Sequence, residues 1–387
     1  MANVRGRLII SYFDLGLSYD EILSFLRDLH GFQISKRHLK RILGRLGLFR
    51  RKNHDDVVDV ALRIEEEIES SGRLHGYRWM HNKLKNNGFN TSKETVLELL
   101  RILDPEGVQI RRRRRLRRRR FNGHGPNFIW HLDSYDKLRP YGVCINGCID
   151  GYSRRVLWLE AYNTSSDPSL IAGYFMKKVQ ELGGTPRVVR ADMGTENGTV
   201  RDMQIFLRWD DADQLAAERS FMYGKSTSNQ RIEFLWGVLR KQTAQFWMDL
   251  FGSLRDEGLF DGGYIDKALI QFCFLRLIQK ELDSFVTQWN YHRIASSRMS
   301  NGPFGRPIVM YSLPHLNNTH DFLHDVPIEE VDVCIDECRF KSQIPCCSLI
   351  FNISHIIMSE NNLGIPYDPE EATYLYQFLR AEIENLL

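Results

Sequence analysis

Apolar and polar positions follow two different periods along the chain, and the period changes near residue 127. Through the first 110 residues, apolar side chains recur every three or four positions, which predicts amphipathic helices. Between residues 127 and 192, short apolar runs alternate with turn residues and one helical stretch, which predicts the order β-β-β-α-β. A mainly helical pattern follows. The chain is therefore predicted to be an α/β protein with a mixed sheet, preceded by an all-α region.

Two helices separated by a tight turn are predicted near the beginning of the chain. Ser18 and Glu21 have capping-box spacing at the start of the first, and Ser35 is predicted to cap the second. The side chains expected to face inward are Ile22, Phe25, Leu26 and Leu29 in the first helix and Leu39, Ile42, Leu43 and Leu46 in the second. The outward residues of the second helix are Lys36, Arg37, Lys40, Arg41 and Arg45. This pattern resembles a helix-turn-helix that binds DNA, and a plain helical hairpin with a solvated basic face is the alternative.

A second helical unit and an arginine run complete the front of the chain. One helix is expected to end near Asn87 and another to begin near Ser92, where Thr91 and Glu94 have capping-box spacing. The next stretch contains nine arginines in ten residues: Arg111, Arg112, Arg113, Arg114, Arg115, Arg117, Arg118, Arg119 and Arg120. So dense a cluster does not pack into a core. It indicates a segment that follows phosphates or a nuclear localisation signal, with a solvated linker as the alternative.

Charge and cysteine usage narrow the class of protein. Residues 1–120 carry 27 Lys and Arg against 15 Asp and Glu, whereas the remainder carries 25 against 34. The basic front part indicates a polyanionic partner, most often nucleic acid. Seven cysteines without a dense framework indicate reduced thiols in an intracellular protein. No signal peptide and no run of 18 apolar residues is evident, so we expect no membrane association.

Acidic residues that turns do not explain indicate a site. Asp136 and Asp150 fit a turn and a hairpin connection. Asp133 instead lies in or at the end of an apolar strand, and Asp192 ends the fourth strand. An unpaired carboxylate buried there costs several kcal/mol in rough terms unless a cation or hydrogen-bond donors compensate. If the two strands are neighbours, both carboxylates emerge at the same edge of the sheet.

A third acid follows on a predicted helix that begins near Asn229. Glu233 lies beside its apolar stripe, and a surface ion pair is the alternative role for this residue alone. The same helix carries the cations Arg231, Arg240 and Lys241, which could meet phosphates. Glu196 is predicted to be a loop residue that shapes the site. A zinc site is a weaker alternative that would use His320, His324, Cys334 and Cys338.

These segments together resemble a known family. The aspartates of "WHLDSYDKL" and "RADMGTEN" and the glutamate of "SNQRIEFLWG" are similar to the D,D,E triad of retrovirus-like integrases and DDE transposases. "IDGYSRRV" resembles the hairpin after the first acid, and "VTQWNYHRIASSRMSNGPFGRP" resembles the segment that follows the core. The front units resemble the helix-turn-helix arms of insertion-sequence transposases. The chain is most similar to eukaryotic integrase core domain proteins.

The resemblance implies a fold, a reaction and a site. The fold would be RNase H-like, a five-stranded mixed sheet flanked by helices. Asp133, Asp192 and Glu233 would bind two Mg²⁺ or Mn²⁺ ions, since oxygen ligands suit such hard cations. The reaction would be DNA strand transfer by phosphodiester cleavage and joining, carried out by a homo-oligomer on DNA in the nucleus. A catalytically silent DNA-binding protein that uses the core as an interaction platform is the alternative, and a structure-selective nuclease is a weaker one.

The domain boundaries follow from these patterns. We predict a helix-turn-helix-like domain at 1–52, a second winged or helix-turn-helix-like unit at 53–110 and an arginine-rich linker at 111–127. The catalytic core is predicted at 128–315. Residues 316–387 are mixed in pattern and receive no assignment beyond a final helix.

Overall fold

A computed structural model describes residues 2–49, 54–70, 72, 75–112, 123–224, 229–296 and 302–386. The chain forms two compact units, each built from two separate stretches of sequence. The front unit comprises Met1–Pro126 and Thr287–Asp321, and the core unit comprises Asn127–Val286 and Phe322–Leu387. Neither unit is a single continuous segment, so the order of elements along the chain does not by itself give their grouping.

The front unit is helical among its described residues. Its helices are α1 (Ala2–Asp14), α2 (Tyr19–Asp28), α3 (Lys36–Arg45), α4 (Val57–Glu69), α5 (Tyr77–Asn86), α6 (Lys93–Leu103), α7 (Pro105–Arg112) and, after the core, α13 (Pro307–Ser312). Helix α12 (Tyr264–Tyr291) begins in the core unit, and its last residues belong to the front unit.

The core unit contains the sheet. Its strands are β1 (Ile129–Tyr135), β2 (Cys144–Asp150), β3 (Val156–Tyr162), β4 (Gly184–Thr185), β5 (Val188–Ala191), β6 (Phe221–Tyr223) and β7 (His324–Asp325). Its helices are α8 (Pro168–Leu182), α9 (Gly198–Phe206), α10 (Gln230–Leu239), α11 (Gln245–Asp256), α14 (Ile328–Asp336), α15 (Ser348–Glu360) and α16 (Pro369–Leu386).

The main sheet has five strands in the order β3-β2-β1-β5-β6. Strand β2 is antiparallel to both of its neighbours, β1 and β3, whereas β5 pairs parallel with β1 and β6 pairs parallel with β5. Helices cover both faces: Trp130 of β1 contacts Phe175 of α8, and Tyr135 of β1 contacts Trp236 of α10. The predicted five-stranded mixed sheet flanked by helices is therefore confirmed.

A fully buried carboxylate, that of Asp150, lies at the end of β2 where the connection to β3 begins. Asp150 accepts hydrogen bonds from the backbone of Asn127 and from both the backbone and the hydroxyl of Ser153. Because backbone and hydroxyl donors compensate its burial, Asp150 has the structural role that the hairpin pattern predicted.

Two helical clusters form the front unit, each with its own apolar core. In the first, α1, α2 and α3 pack with Val309 and Leu313 from the later segment. Arg306 donates to the carbonyls of Gly16 and Tyr291 and to the carboxylate of Glu21. In the second, α4, α5 and α6 pack together. The first cluster is therefore completed by residues more than 250 positions away in sequence.

Three details of the predicted helices are wrong. Leu29 and Leu46 are exposed, because each is the residue at which its helix ends and the chain turns away from the core. Thr91 does not cap α6: the hydroxyl of Ser92 accepts from the backbone of Thr95, so the cap lies one residue later. The capping box of Ser18 and Glu21 and the cap at Ser35 are confirmed.

The C-terminal segment packs on the core. Strand β7 pairs with β4, and the chain beyond α14 crosses α8 at Gly173, where a side chain would collide with the carbonyl of Arg339. At the end of the chain, Arg380 of α16 pairs with Asp266. All seven cysteines are free. None of the described helices is long and apolar enough to cross a membrane.

Candidate active site

Two of the predicted acids lie next to each other at the carboxyl ends of two neighbouring strands, β1 and β5. Strands β1 and β5 are parallel, with His131 opposite Arg190. Continuing this register by two residues places Asp133 opposite Asp192, the first residue after β5. The carboxyl ends of parallel strands are where ligand sites form in α/β sheets. The structure thus brings together two carboxylates separated by 59 residues of sequence, as the resemblance implied.

The third acid approaches from a helix that covers this face of the sheet. Glu233 lies in the first turn of α10, and its backbone N–H donates to the carbonyl of Asn229 at 3.2 Å. The side chain of Asn229 is fully buried and joins the helix to β1. Its Nδ2 donates to the carbonyl of Leu132 at 3.0 Å, and its Oδ1 lies 2.6 Å from Nδ1 of His131. Glu233 therefore lies one helical turn after Asn229, whose side chain binds the part of β1 next to Asp133.

Asp133 carries the electrostatic strain of this arrangement. Burial, with smaller contributions from the negative charges of Asp192 and Glu233, raises the pKa of its carboxyl to about 7, against a hydrogen bond from Trp236 that lowers it. That bond runs from the indole Nε1 to Oδ2 at 2.9 Å. Partial burial and then the charge of Asp192 also raise the pKa of Glu233. The three carboxylates thus lie within electrostatic reach of one another.

The donor set suits a hard divalent cation. All three side chains offer oxygen ligands, and a cation would offset both the burial and the mutual repulsion that raise the pKa values of Asp133 and Glu233. Within the described part of the chain, no three acidic, His or Cys side chains form a ready-made metal-binding group. The acids are therefore a cluster with suitable chemistry rather than a preformed coordination sphere.

The loop after Asp192 holds that carboxylate in place. Its Oδ1 accepts from the backbone N–H of Gly194 at 3.2 Å and from Nδ2 of Asn197 at 3.0 Å. The same Asn197 amide lies 3.4 Å from Oε1 of Glu196. Glu196 therefore belongs to the hydrogen-bonded loop that shapes the site.

A histidine and two arginines precede the three acids by two residues each. They are His131, Arg190 and Arg231. His131 is fully buried, and its burial lowers its pKa to about 3; the charges of Arg190 and Arg231 act in the same direction. Because Asn229 uses its Nδ2 as donor to Leu132, its Oδ1 is the acceptor from Nδ1–H of a neutral imidazole. The two arginines are within electrostatic reach of this position. The site thus combines clustered carboxylates with nearby guanidinium groups.

The remaining predicted cations are distributed over both units. Arg240 and Lys241 are exposed on a π-helical turn, Arg240–Ala244, that follows α10. In the front unit Lys36 pairs with Asp20, Lys40 lies over the ring of Tyr19, Arg41 contacts His38, and Arg37 is exposed. Arg111 and Arg112 end α7, and Arg113 to Arg120 lie outside the described residues.

The residues of the alternative zinc site have other partners. His324 on β7 pairs with Asp211 at 3.1 Å. Cys334 lies on the buried side of α14, and the thiol of Cys338 donates to its carbonyl. His320 belongs to the front unit.

Sequence reasoning missed the side chains that support the acids. These are His131, Arg190, Asn197, Asn229 and Trp236. Asn229 carried a misleading signal, because an Asn before a helix is read as an N-cap. Its side chain makes no capping bond and reaches β1 instead. The positions of His131 and Arg190, two residues before each aspartate on the same face, were a signal that could have found them.

Fold and site geometry define an RNase H-like α/β unit with acids at the carboxyl edge of its sheet. Residues 121–311 match the family model described as "Integrase core domain". The chain therefore carries an integrase core domain. A search of curated proteins finds no match to this sequence.

Proposed function

We propose that this chain is a metal-dependent polynucleotidyl transferase that cuts and joins DNA, with Asp133, Asp192 and Glu233 as its catalytic acids. The observation that carries the proposal is their convergence. The acids lie on β1, directly after the parallel strand β5 and in the first turn of α10, and burial together with the charges of neighbouring acids raises the pKa values of Asp133 and Glu233. The integrase core domain match supports the same class of reaction.

The chain's own residues would divide the work as follows. Asp133, Asp192 and Glu233 would hold Mg²⁺ or Mn²⁺, which when bound, as a pair, would activate the attacking oxygen and stabilise the leaving one. The guanidinium groups of Arg190 and Arg231 would offset the negative charge of the phosphodiester. Arg240 and Lys241, exposed beyond α10, would contact the DNA backbone. The basic face of α3 would bind duplex DNA.

The test is a strand cleavage and joining assay with purified full-length protein, a labelled duplex and Mn²⁺. Wild-type protein is expected to nick the duplex and join ends to a target. Asp192→Asn should reduce both steps by roughly three orders of magnitude or more, because a metal ligand is lost while the side-chain shape is kept. Asp202→Asn is a matched control, since Asp202 is exposed on α9 and pairs only with Arg201 among the described residues.

Other outcomes separate the alternatives. Equal activity in wild type and Asp192→Asn would sink the mechanism. Cleavage without any joined product would favour a nuclease of the same fold. DNA binding without metal-dependent cleavage in either protein would favour a catalytically silent DNA-binding protein.

A further inference from the structure

Two side chains at the start of α10 link the helix that carries Glu233 to the strand that carries Asp133. The first is Asn229, which is fully buried. Its side-chain amide forms hydrogen bonds with two consecutive residues of β1, His131 and Leu132. Its backbone carbonyl accepts a hydrogen bond from the backbone N–H of Glu233. One residue therefore fixes both the strand and the first turn of the helix.

The second side chain is Trp236, three positions after Glu233. Residues three apart lie on the same side of a helix, so Trp236 shares the side of α10 that faces the acids. Its indole donates to Oδ2 of Asp133, and an indole N–H can only donate. Asp133 is thus held in one orientation, with its other oxygen, Oδ1, outside this bond.

The sheet is shaped to admit this indole. Gly147 lies directly opposite Asp133 on β2, and a Cβ atom there would come within 2.8 Å of Cη2 of Trp236. The ring of Tyr135 packs beside the indole, with centroids 5.6 Å apart. A glycine and an aromatic side chain therefore keep Trp236 over the strand at the level of the acid.

We propose that Asn229 and Trp236 are positioning residues that clamp α10 to β1 and so set the affinity of the acid cluster for a divalent cation. The inference rests on the proposed function, since it concerns the same three acids. Outer residues that orient metal ligands are worth about 10–100-fold in metal affinity. The clamp acts before any DNA is bound, so its effect is measurable without turnover.

The test is a Mn²⁺ titration of the full-length protein without DNA, with free Mn²⁺ followed by electron paramagnetic resonance. Trp236→Phe keeps an aromatic ring at this position but removes the N–H donor and part of the ring volume, a loss that the control below shares. It is expected to weaken Mn²⁺ binding about 10–100-fold. Asn229→Asp, which keeps an acceptor for His131 but loses the donor to Leu132, should act in the same direction.

Trp247→Phe is the matched control. Its indole also donates to a carboxylate, Oε2 of Glu281, at 2.6 Å, but from α11 to α12. It should leave Mn²⁺ affinity within about twofold of wild type, while thermal unfolding monitors folding of every variant.

The outcomes distinguish the two proposals. Wild-type Mn²⁺ affinity in a folded Trp236→Phe protein would overturn the clamp and leave the proposed function standing. If wild type binds Mn²⁺ no better than Asp192→Asn, the proposed metal site fails, and the clamp fails with it. Weaker binding in Trp236→Phe but not in Trp247→Phe supports the clamp.

Discussion

The two candidate sites differ in the sign of their charges and in their exposure to solvent: the front unit presents exposed cations, and the core unit contains partly buried carboxylates. In the front unit, the cations of α3 lie on an exposed helix face above a small apolar core. In the core unit, the carboxylate of Asp133 is partly buried and has a raised pKa. Exposed charges cost little, whereas clustered and desolvated ones must be imposed by the surrounding fold. The two candidate sites should therefore respond differently to substitution.

The same contrast appears within the front unit. Helices α3 and α6 each follow a short turn and begin after a serine cap. The polar face of α3 carries Lys and Arg side chains and no acidic residue, whereas α6 combines Lys93 and Arg101 with Glu94 and Glu98. A shared architecture therefore does not imply a shared partner, and α3 is the better candidate for contact with DNA.

The largest expected effect lies in the core unit, where Asp133→Asn separates activity from stability. Cleavage and joining should fall by roughly three orders of magnitude or more, since a proposed metal ligand is lost. The metal-free variant should nevertheless be more stable than wild type at pH 8. Thermal unfolding with a chelator present, at pH 4 to 8, measures the second effect.

The sign follows from the raised pKa. Folded Asp133 has a pKa of about 7, above its unfolded value near ~3.9, so the folded state binds more protons between these values. Wild-type stability should fall as pH rises through this window, and the full penalty, on the order of 1–4 kcal/mol, should be present above pH 7. Asn cannot ionise and escapes it. A wild-type advantage at pH 8 would contradict the burial of this carboxyl.

The next largest effect is expected where residues 287–321 contact the first helices of the front unit. Arg306→Ala removes a guanidinium that bonds the carbonyls of Gly16 and Tyr291 and the carboxylate of Glu21. It should destabilise the front unit by about 2–4 kcal/mol, because these acceptors lose a charged donor. Hydrogen exchange at the amides of α2 is the direct measurement.

Arg27→Ala is the control for this prediction, since the side chain of Arg27 pairs on the surface with its neighbour Asp28 and with no other described residue. It should change stability by less than about 1 kcal/mol. Equal protection of α2 in wild type and Arg306→Ala would show that the later segment does not hold the first helical cluster.

The smallest expected effect compares α3 with α6 directly. The double change Arg37→Ala with Arg41→Ala should weaken duplex DNA binding about tenfold and reduce the salt dependence by about two phosphate contacts. Lys93→Ala with Arg101→Ala removes the same charge from α6 and should cost less than about twofold. Fluorescence anisotropy at several salt concentrations measures both.

A larger loss of DNA binding for the α6 variant than for the α3 variant would indicate that α6 contacts the DNA. Equal losses would mean that net charge alone drives binding, and the distinction between the two helices would be lost.

Much of the site was predictable because its acids conflict with their local surroundings. Asp133 and Asp192 are carboxylates within or directly after strands that are otherwise apolar. The element order β-β-β-α-β made these two strands candidates for neighbours in the sheet. The supporting residues were not predictable in the same way. Asn229 follows the local rule for a helix cap, yet its bonds go to a strand almost 100 residues earlier.

The sequence by itself determined the elements, since the periods of apolar residues and the serine caps are local properties. It also determined which acids are costly to bury. Only the tertiary structure decided that residues 287–321 complete the front unit, and that Asn229 and Trp236 hold α10 against β1. The physical reason is that an amide or an indole can bond any acceptor within reach, and only the packed fold selects which acceptor that is.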